Sequence, residues 1–154
     1  MRMKRIFSII LIFGLIVLLL TGCGAKEEAA LEKPVIWTNN NIAGVENKPL
    51  SPTFIVLEQD CVAAAITNYH YFNGGVKPGT IELIGEDGKK YGPWQAVGRV
   101  GQGDVKDAYW DAFPNIELKK GKYQVVDSDP DTWSHNSQSD NCGFTEVRGS
   151  LKDK

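Results

Sequence analysis

Short runs of β-branched and aromatic residues, each closed by a turn signal, restrict the fold of this 154-residue chain more than any other feature. Roughly eight or nine such runs follow residue 34 at regular spacing, and no long helical period interrupts them. Asp87-Gly88 stands between two of the runs, as is typical of a β-hairpin. The pattern predicts a single all-β sandwich over residues 34–150, with a jelly-roll arrangement preferred and an immunoglobulin-like one as the alternative.

The first 22 residues have the pattern of a secretory signal. Arg2, Lys4 and Arg5 precede an apolar run, residues 6–20, that is too short to span a bilayer comfortably. The run ends in Leu20-Thr21-Gly22-Cys23, which resembles the lipobox of bacterial lipoproteins. The resemblance implies cleavage before Cys23, acylation of that cysteine and attachment to the cell membrane on the side facing away from the cytoplasm. The alternative is an uncleaved signal anchor with an incidental cysteine.

The segment after the lipobox is rich in Ala, Glu and Lys and has no apolar periodicity. Residues 23–33 are therefore expected to form a lipidated tether, because an isolated helix of this length is marginal in water. Two or more acyl chains on Cys23 are enough for stable anchoring in the bilayer. Residues 151–154 are expected to be a polar tail.

The charge balance of the mature chain argues against nucleic acid as a partner. Loss of residues 1–22 removes three of the 17 Lys and Arg and none of the 19 Asp and Glu, so the formal charge changes from −2 to −5. Binding to nucleic acid, or to anionic lipid through a polybasic segment, needs clustered Lys and Arg. The acyl chains are then expected to provide the contact with the bilayer.

Several segments after residue 40 are similar to a module of no assigned function that occurs in secreted and cell-surface bacterial proteins. The resemblance implies an extracellular β domain over about residues 35–149 and carries over no catalytic residue. The segments that carry it are Gly44-Val45, Thr67-Asn68-Tyr69-His70, Pro78-Gly79-Thr80-Ile81, Gly92-Pro93-Trp94-Gln95-Ala96, Ala108-Tyr109-Trp110 and residues 127–136.

Lipidation of Cys23 would leave an even pair of cysteines, Cys61 and Cys142. Outside the cytoplasm such a pair can remain oxidised, and we expect a disulfide. The bridge would close a loop of about 80 residues, to which the chain-entropy model assigns about 4 to 5 kcal/mol. The alternative is two separate thiols, one buried and one in a loop.

Asp127, Asp129 and Asp131 alternate as the first ligands of a calcium loop do. The match then ends, because Thr132 stands where such a loop has glycine and Gln138 where it has glutamate. Calcium is the one cofactor that the sequence suggests. The alternative is that the carboxylates accept hydrogen bonds from the amides of a turn around Pro130.

Aromatic and polar residues form a second candidate site, of the kind that binds carbohydrate. An exposed ring covers the apolar face of a sugar, while Asp, Asn, Gln or Arg bind its hydroxyl groups. The predicted ligand-binding residues are Trp133, His135, Asn136, Asp129 and Trp94, and Trp133 is expected to be partly exposed in a polar loop. Further aromatic and polar candidates are Tyr69, His70, Tyr71, Arg99, Tyr109, Trp110 and Asp131. For any single Trp, burial in the core is the alternative.

Catalytic motifs are missing from the sequence. His70 and His135 could act as bases, but no nucleophile elbow, zinc-binding helix or triad pattern accompanies them. The sequence therefore predicts a noncatalytic lipoprotein module that binds glycan or another cell-envelope component. The alternatives are a structural or assembly lipoprotein that binds another protein and, third, a hydrolase such as a two-carboxylate glycosidase.

Overall fold

Twelve short strands and one helix make up residues 22–153, the part of the chain that the computed structural model describes. The predicted signal peptide lies outside these residues, apart from the backbone of Gly22. The elements are α1 (Gly22–Leu31), β1 (Val35–Thr38), β2 (Glu46–Asn47), β3 (Phe54–Leu57), β4 (Cys61–Tyr69), β5 (Thr80–Gly85), β6 (Lys90–Gln95), β7 (Val97–Arg99), β8 (Tyr109–Ala112), β9 (Ile116–Leu118), β10 (Gly121–Asp127), β11 (Ser134–His135) and β12 (Thr145–Leu151).

Two antiparallel sheets enclose the core. The six-stranded sheet has the order β1-β12-β4-β8-β7, with β9 also paired to β4, and the four-stranded sheet has the order β3-β10-β5-β6. Strands β2 and β11 form a separate pair. The prediction of an all-β sandwich is confirmed. The side chains that fill the core are Ile55, Leu57, Cys61, Ala63, Ile66, Ile81, Leu83, Ala112, Leu118, Tyr123, Val125, Trp133 and Val147.

Strand β4 contains a bulge that changes which side chains face the core. Ala63 pairs with Gly149 of β12, and Ala65 pairs with the adjacent residue Arg148. Ala64 of β4 therefore has no partner on β12. A Cβ atom at Gly149 would overlap the backbone carbonyl oxygen of Val62, so this close approach requires glycine. After the bulge Ile66 faces the core, and the alternation places Tyr69 on the outer face of the six-stranded sheet.

The hairpin predicted at Asp87-Gly88 joins β5 to β6. Gly88 has φ +77°, and its N–H donates to the carbonyl oxygen of Gly85 at 2.8 Å. Pro93 lies in β6, which is the edge strand of the four-stranded sheet. Proline cannot donate to a strand ladder, and an edge strand accommodates it for that reason.

The expected tether is a packed helix. Helix α1 lies against β4 and β12, where Ala30 and Lys26 line a groove with Ala64 and Phe113. Packing against the sheet supplies the stability that a helix of ten residues lacks on its own. Among residues 22–153, no helix has the length and apolar character needed to cross a bilayer.

The predicted disulfide is wrong, because Cys61 and Cys142 are free thiols. Cys61 begins β4 opposite Leu151, whereas the other end of β4, at Asn68, lies opposite Thr145. The seven residue steps from Cys61 to Asn68 span about 23 Å, and Cys142 precedes Thr145 by three residues, at the Asn68 end of β4. A disulfide needs Cα atoms less than about 7 Å apart.

Candidate functional site

An open cleft at one end of the six-stranded sheet is lined by three tyrosines, and we call it the tyrosine cleft. Its volume is about 410 Å³, within the usual range for ligand sites. Two phenylalanines, the loop of residues 40–45 and one glutamine complete the lining. The lining residues are Asn40, Asn41, Ile42, Ala43, Gly44, Val45, Tyr69, Tyr71, Phe72, Gln102, Tyr109 and Phe144.

Strand register brings the aromatic rings of the cleft together. Tyr69 and Tyr109 are direct cross-strand neighbours of β4 and β8, and their ring centroids are 4.9 Å apart. Tyr71 lies 6.0 Å from Tyr69, and Phe144 lies 6.5 Å from it in a stacked arrangement. Because Tyr69, Tyr71 and Tyr109 all remain half-exposed, part of their surface is open to a ligand.

The hydroxyl group of Tyr69 remains protonated at neutral pH. Partial burial, with Tyr109 and Tyr71 close by, raises the pKa of Tyr69 to about 12. A protonated phenol can both donate and accept a hydrogen bond. The cleft therefore combines apolar ring surface with neutral hydroxyl groups.

The guanidinium group of Arg99 lies over the Tyr109 ring, 4.3 Å from its centroid. Nε of Arg99 donates to Oδ2 of Asp111 at 2.7 Å, and Nη2 donates to Oδ1 at 3.1 Å. Thr67 donates to the same Oδ1 atom at 2.7 Å. This bidentate pair holds the Arg99 side chain against Tyr109 and neutralises its charge.

One wall of the cleft is the loop between β1 and β2, and side-chain amides hold it in place. Nδ2 of Asn136 donates to Oδ1 of Asn41 at 2.7 Å and to the carbonyl oxygen of Gly44 at 3.2 Å. Nδ2 of Asn41 donates back to Oδ1 of Asn136 at 3.0 Å. Asn39 starts the loop, accepting from the Thr145 amide at 2.8 Å and donating to the Gly143 carbonyl oxygen at 3.0 Å.

None of the residues that line the tyrosine cleft carries a formal charge, and none is a histidine or cysteine. The lining instead offers aromatic faces, hydroxyl groups and carboxamides. Such a set of groups can bind and orient a ligand.

The prediction that Trp133 is partly exposed is wrong. Trp133 is 5% exposed and belongs to the core, where its Nε1 donates to the carbonyl oxygen of Phe144 at 2.9 Å. Gly143 makes this burial possible, because a Cβ atom there would overlap the indole ring. The polar residues around Trp133 suggested a solvated loop, but the indole ring points into the core and bonds to the backbone of the same loop.

His135 and Asn136 are also buried, at 2% and 8% exposure. Nε2 of His135 lies 3.2 Å from the carbonyl oxygen of Asn47, within the β2–β11 pair. Neither side chain presents itself to a ligand in solution. Asn136 nevertheless contributes to the candidate site, since it holds the wall of the tyrosine cleft from behind.

Trp94 does not join the other aromatic candidates. It lies on β6 in the four-stranded sheet, half-buried, and packs against the core. Trp110 is fully buried and stacks on His70 with a centroid separation of 3.7 Å. Of the aromatic candidates, Tyr69, Tyr71 and Tyr109 are the ones that the fold brings together at an open surface.

The side chains of the three aspartates of the possible calcium loop lie in different environments. Oδ2 of Asp127 accepts from Nδ2 of Asn68 at 2.7 Å and lies 3.1 Å from Nε2 of His70. Asp131 is exposed and pairs with Lys48 at 3.2 Å. The part of the chain that the structure describes contains no group of three His, Cys, Asp or Glu side chains arranged to hold a metal ion.

Turn bonding, the alternative reading of these aspartates, accounts for two of them. Oδ1 of Asp127 accepts from the Asp129 amide at 2.8 Å, and Oδ2 of Asp129 accepts from the Thr132 hydroxyl at 3.0 Å. Thr132 also contacts Nδ1 of His70 at 2.9 Å. His70 and Asp127 are buried, whereas Asp129 and Thr132 are partly exposed, so the network runs from the space between the two sheets to the surface turn.

Sequence reasoning missed Asn40, Asn41, Phe72 and Gln102, which lie on three separate loops of the cleft. The run Asn39-Asn40-Asn41 gave one signal, because three consecutive asparagines are unusual unless their amides are used. Gln102 gave none, since its position depends on a short 3₁₀ turn, Gln102–Asp104, in a glycine-rich segment.

The fold and the site define an all-β sandwich domain with an uncharged, aromatic cleft at one end. Comparisons of the chain with protein-family models, with curated proteins and with solved structures give no match.

Proposed function

We propose that this protein is a noncatalytic binding lipoprotein whose tyrosine cleft takes a glycan or another component of the cell envelope. The observation that carries the proposal is the meeting of Tyr69, Tyr71 and Tyr109 in one open cleft with the amides of Asn40 and Gln102. Tyrosine rings cover apolar C–H surface, and their hydroxyl groups and the amides bind polar groups. A sugar presents both kinds of surface.

The anchoring part of the proposal rests on the resemblance of residues 20–23 to a lipobox. Acylated Cys23 would attach the domain to the outer face of the cell membrane, where envelope glycans are within reach. Mass spectrometry of the purified protein tests this point directly. A mature N-terminus at an acylated Cys23 supports it, and an unprocessed Met1 with an unmodified Cys23 contradicts it.

A protein partner is the second candidate, and the rim of the cleft favours it. Ile42 is fully exposed and Phe72 is 56% exposed, on two loops that both line the cleft. Exposed apolar side chains around a groove are common in protein interaction sites. In that case the protein would be a structural or assembly lipoprotein.

The experiment is a screen of the mature protein, in detergent micelles, against an array of envelope and plant glycans, with and without calcium. Tyr71→Ala removes an accessible ring from the cleft, and Tyr91→Ala removes a half-buried ring from the other sheet. Binding that is lost with Tyr71→Ala and kept with Tyr91→Ala supports the proposal, provided that both variants unfold cooperatively on heating. No binding to any glycan refutes the glycan proposal.

The two candidates respond differently to changes at the rim. Replacing Ile42 by Ser removes apolar surface outside the ring cluster. A glycan held by the tyrosines should keep its affinity within about twofold, whereas a protein partner should lose most of its affinity because exposed apolar anchors dominate such interfaces.

A further inference from the structure

We infer that the tyrosine cleft selects uncharged glycans, so that neutral sugar chains bind and polymers bearing carboxylate, sulfate or phosphate groups do not. The inference rests on the proposed glycan-binding function and adds the class of ligand. It comes from the charges that surround the cleft.

The cleft offers an anion no counter-charge. Its twelve lining residues include no lysine, arginine or histidine. An anionic group that enters must give up water, and it receives in exchange only neutral hydroxyl and amide donors. A buried charge without a partner is costly, so each carboxylate or phosphate group lowers the affinity.

Arg99, the cation that lies on the Tyr109 ring, is already committed. Its Nε and Nη2 atoms both donate to the carboxylate of Asp111, which is 2% exposed. The Arg99 side chain is 45% exposed and keeps further N–H donors, but its charge is already offset by Asp111, and an anion that displaced Asp111 would leave that buried carboxylate without its main partner. Arg99 therefore serves to support Tyr109.

Two carboxylates that are close in sequence to the lining residues have the wrong sign for an anion. Glu46 follows the loop that carries Asn41, and Asp104 follows Gln102 in the same 3₁₀ turn. Both carboxylates are exposed. Together with the formal charge of −5 on the mature chain, they weaken the approach of anionic polymers at low salt.

The uncharged lining suits the hydroxyl groups of a neutral sugar. Each hydroxyl is both a donor and an acceptor, as are the carboxamides of Asn40 and Gln102. Tyr69 adds a phenol that stays protonated at physiological pH, and its ring faces can cover the apolar side of a pyranose. Binding of this kind needs no divalent cation.

The test uses the mature protein in detergent micelles and isothermal titration calorimetry. The neutral probes are cellohexaose, chitohexaose and dextran, and the anionic probes are hexagalacturonate, heparin and polyphosphate. We expect a neutral probe to bind with an affinity that changes less than about twofold between 50 and 500 mM salt, because screening acts on charges. EDTA should have no effect, and Tyr71→Ala should weaken binding by at least about tenfold.

A charge-matched pair of variants tests the same inference without removing a ring. Gln102→Lys and Gln102→Glu change one exposed lining residue by opposite charges. Hexagalacturonate should gain at least about threefold in affinity from Gln102→Glu to Gln102→Lys at low salt, whereas the neutral probe should respond equally to both.

Each outcome has a definite meaning. Tighter binding of an anionic probe than of every neutral probe, abolished by Tyr71→Ala, overturns the selection for neutral sugars and leaves glycan binding in the cleft intact. Binding of a neutral probe that Tyr71→Ala does not change overturns the cleft as the site. No binding of any probe refutes the proposed function together with this inference.

Discussion

The side chains of Asn136 and Asn41 exchange two hydrogen bonds, of 2.7 and 3.0 Å, across the back of the tyrosine cleft. Asn136 comes from the 3₁₀ turn near the C-terminus, and Asn41 from the loop after the first strand. The pair joins segments 95 residues apart and fixes one wall of the cleft.

Replacing Asn136 by Ala should loosen this wall. The change removes the bonds to Asn41, Gly44 and the capped amide of Ser139, so the free energy of unfolding should fall by about 1 to 3 kcal/mol. Urea denaturation measures the loss, and any glycan affinity should fall with it. Gln138→Ala, on the exposed side of the same turn, is the control and should change stability by less than about 0.5 kcal/mol.

Asp127→Ala should destabilise the fold far more than Asp131→Ala. Asp127 is buried, and its loss leaves His70, Asn68 and the Asp129 amide without an acceptor, at about 3 to 5 kcal/mol. Asp131 is 73% exposed and pairs with an equally exposed Lys48, so its removal should cost less than about 0.5 kcal/mol. Equal unfolding midpoints in urea for the two variants would show that the buried network does not support the fold.

Stability should decrease in strong base as Tyr69 titrates. Its pKa in the folded protein is about 12, above the value of about 10 expected in the unfolded chain. Between these values the unfolded state releases a proton that the folded state keeps, so the free energy of unfolding falls as the pH rises from about 10 to about 12. Phenolate absorbance should show a late-titrating tyrosine that is missing in Tyr69→Phe.

Gly143→Ala should destabilise the core, because the new methyl group would overlap the indole ring of Trp133. Overpacking of this kind costs about 1 to 3 kcal/mol. Gly44→Ala is the matched control, since its Cβ atom would meet nothing within 4 Å. Trp133 fluorescence should shift to the red in Gly143→Ala if the ring is displaced towards solvent, and thermal unfolding should report the loss of stability.

Both Cys61 and Cys142 should react as free thiols. A thiol assay on the denatured, unreduced Cys23→Ser protein should give two equivalents, whereas a disulfide between Cys61 and Cys142 would give none. In the native protein Cys61 should react much more slowly than Cys142, because Cys61 is buried whereas Cys142 is partly exposed; burial raises the pKa of both thiols. Equal native rates would contradict the buried position of Cys61.

The fold was predictable where local signals decide the structure. Asp87-Gly88 specified a hairpin, because turn chemistry acts within a few residues. The bulge between Ala63 and Ala65 was not predictable. It depends on Gly149, which is 86 residues away in the sequence and adjacent only through strand pairing.

The candidate site was predictable in residue type and wrong in position. Aromatic residues and amides were expected to bind a ligand around Trp133, but Trp133 and His135 are buried and the open rings belong to Tyr69, Tyr71 and Tyr109. Whether a polar loop around a Trp opens to solvent or folds inwards depends on contacts such as Gly143 and the Phe144 carbonyl oxygen. Composition does not contain that information.

Strand β1 runs from the end of the domain that carries helix α1 to the end that carries the tyrosine cleft. Val35, just after helix α1, lies opposite Arg148, whereas Asn39, just past the end of β1, bonds to Thr145 at the cleft. The helix packs near Ala64, and Tyr69 lies five residues further along β4, about 16 Å away. An attachment at the N-terminus would therefore hold the domain at the end that carries helix α1. The tyrosine cleft, at the other end, would stay accessible to ligands.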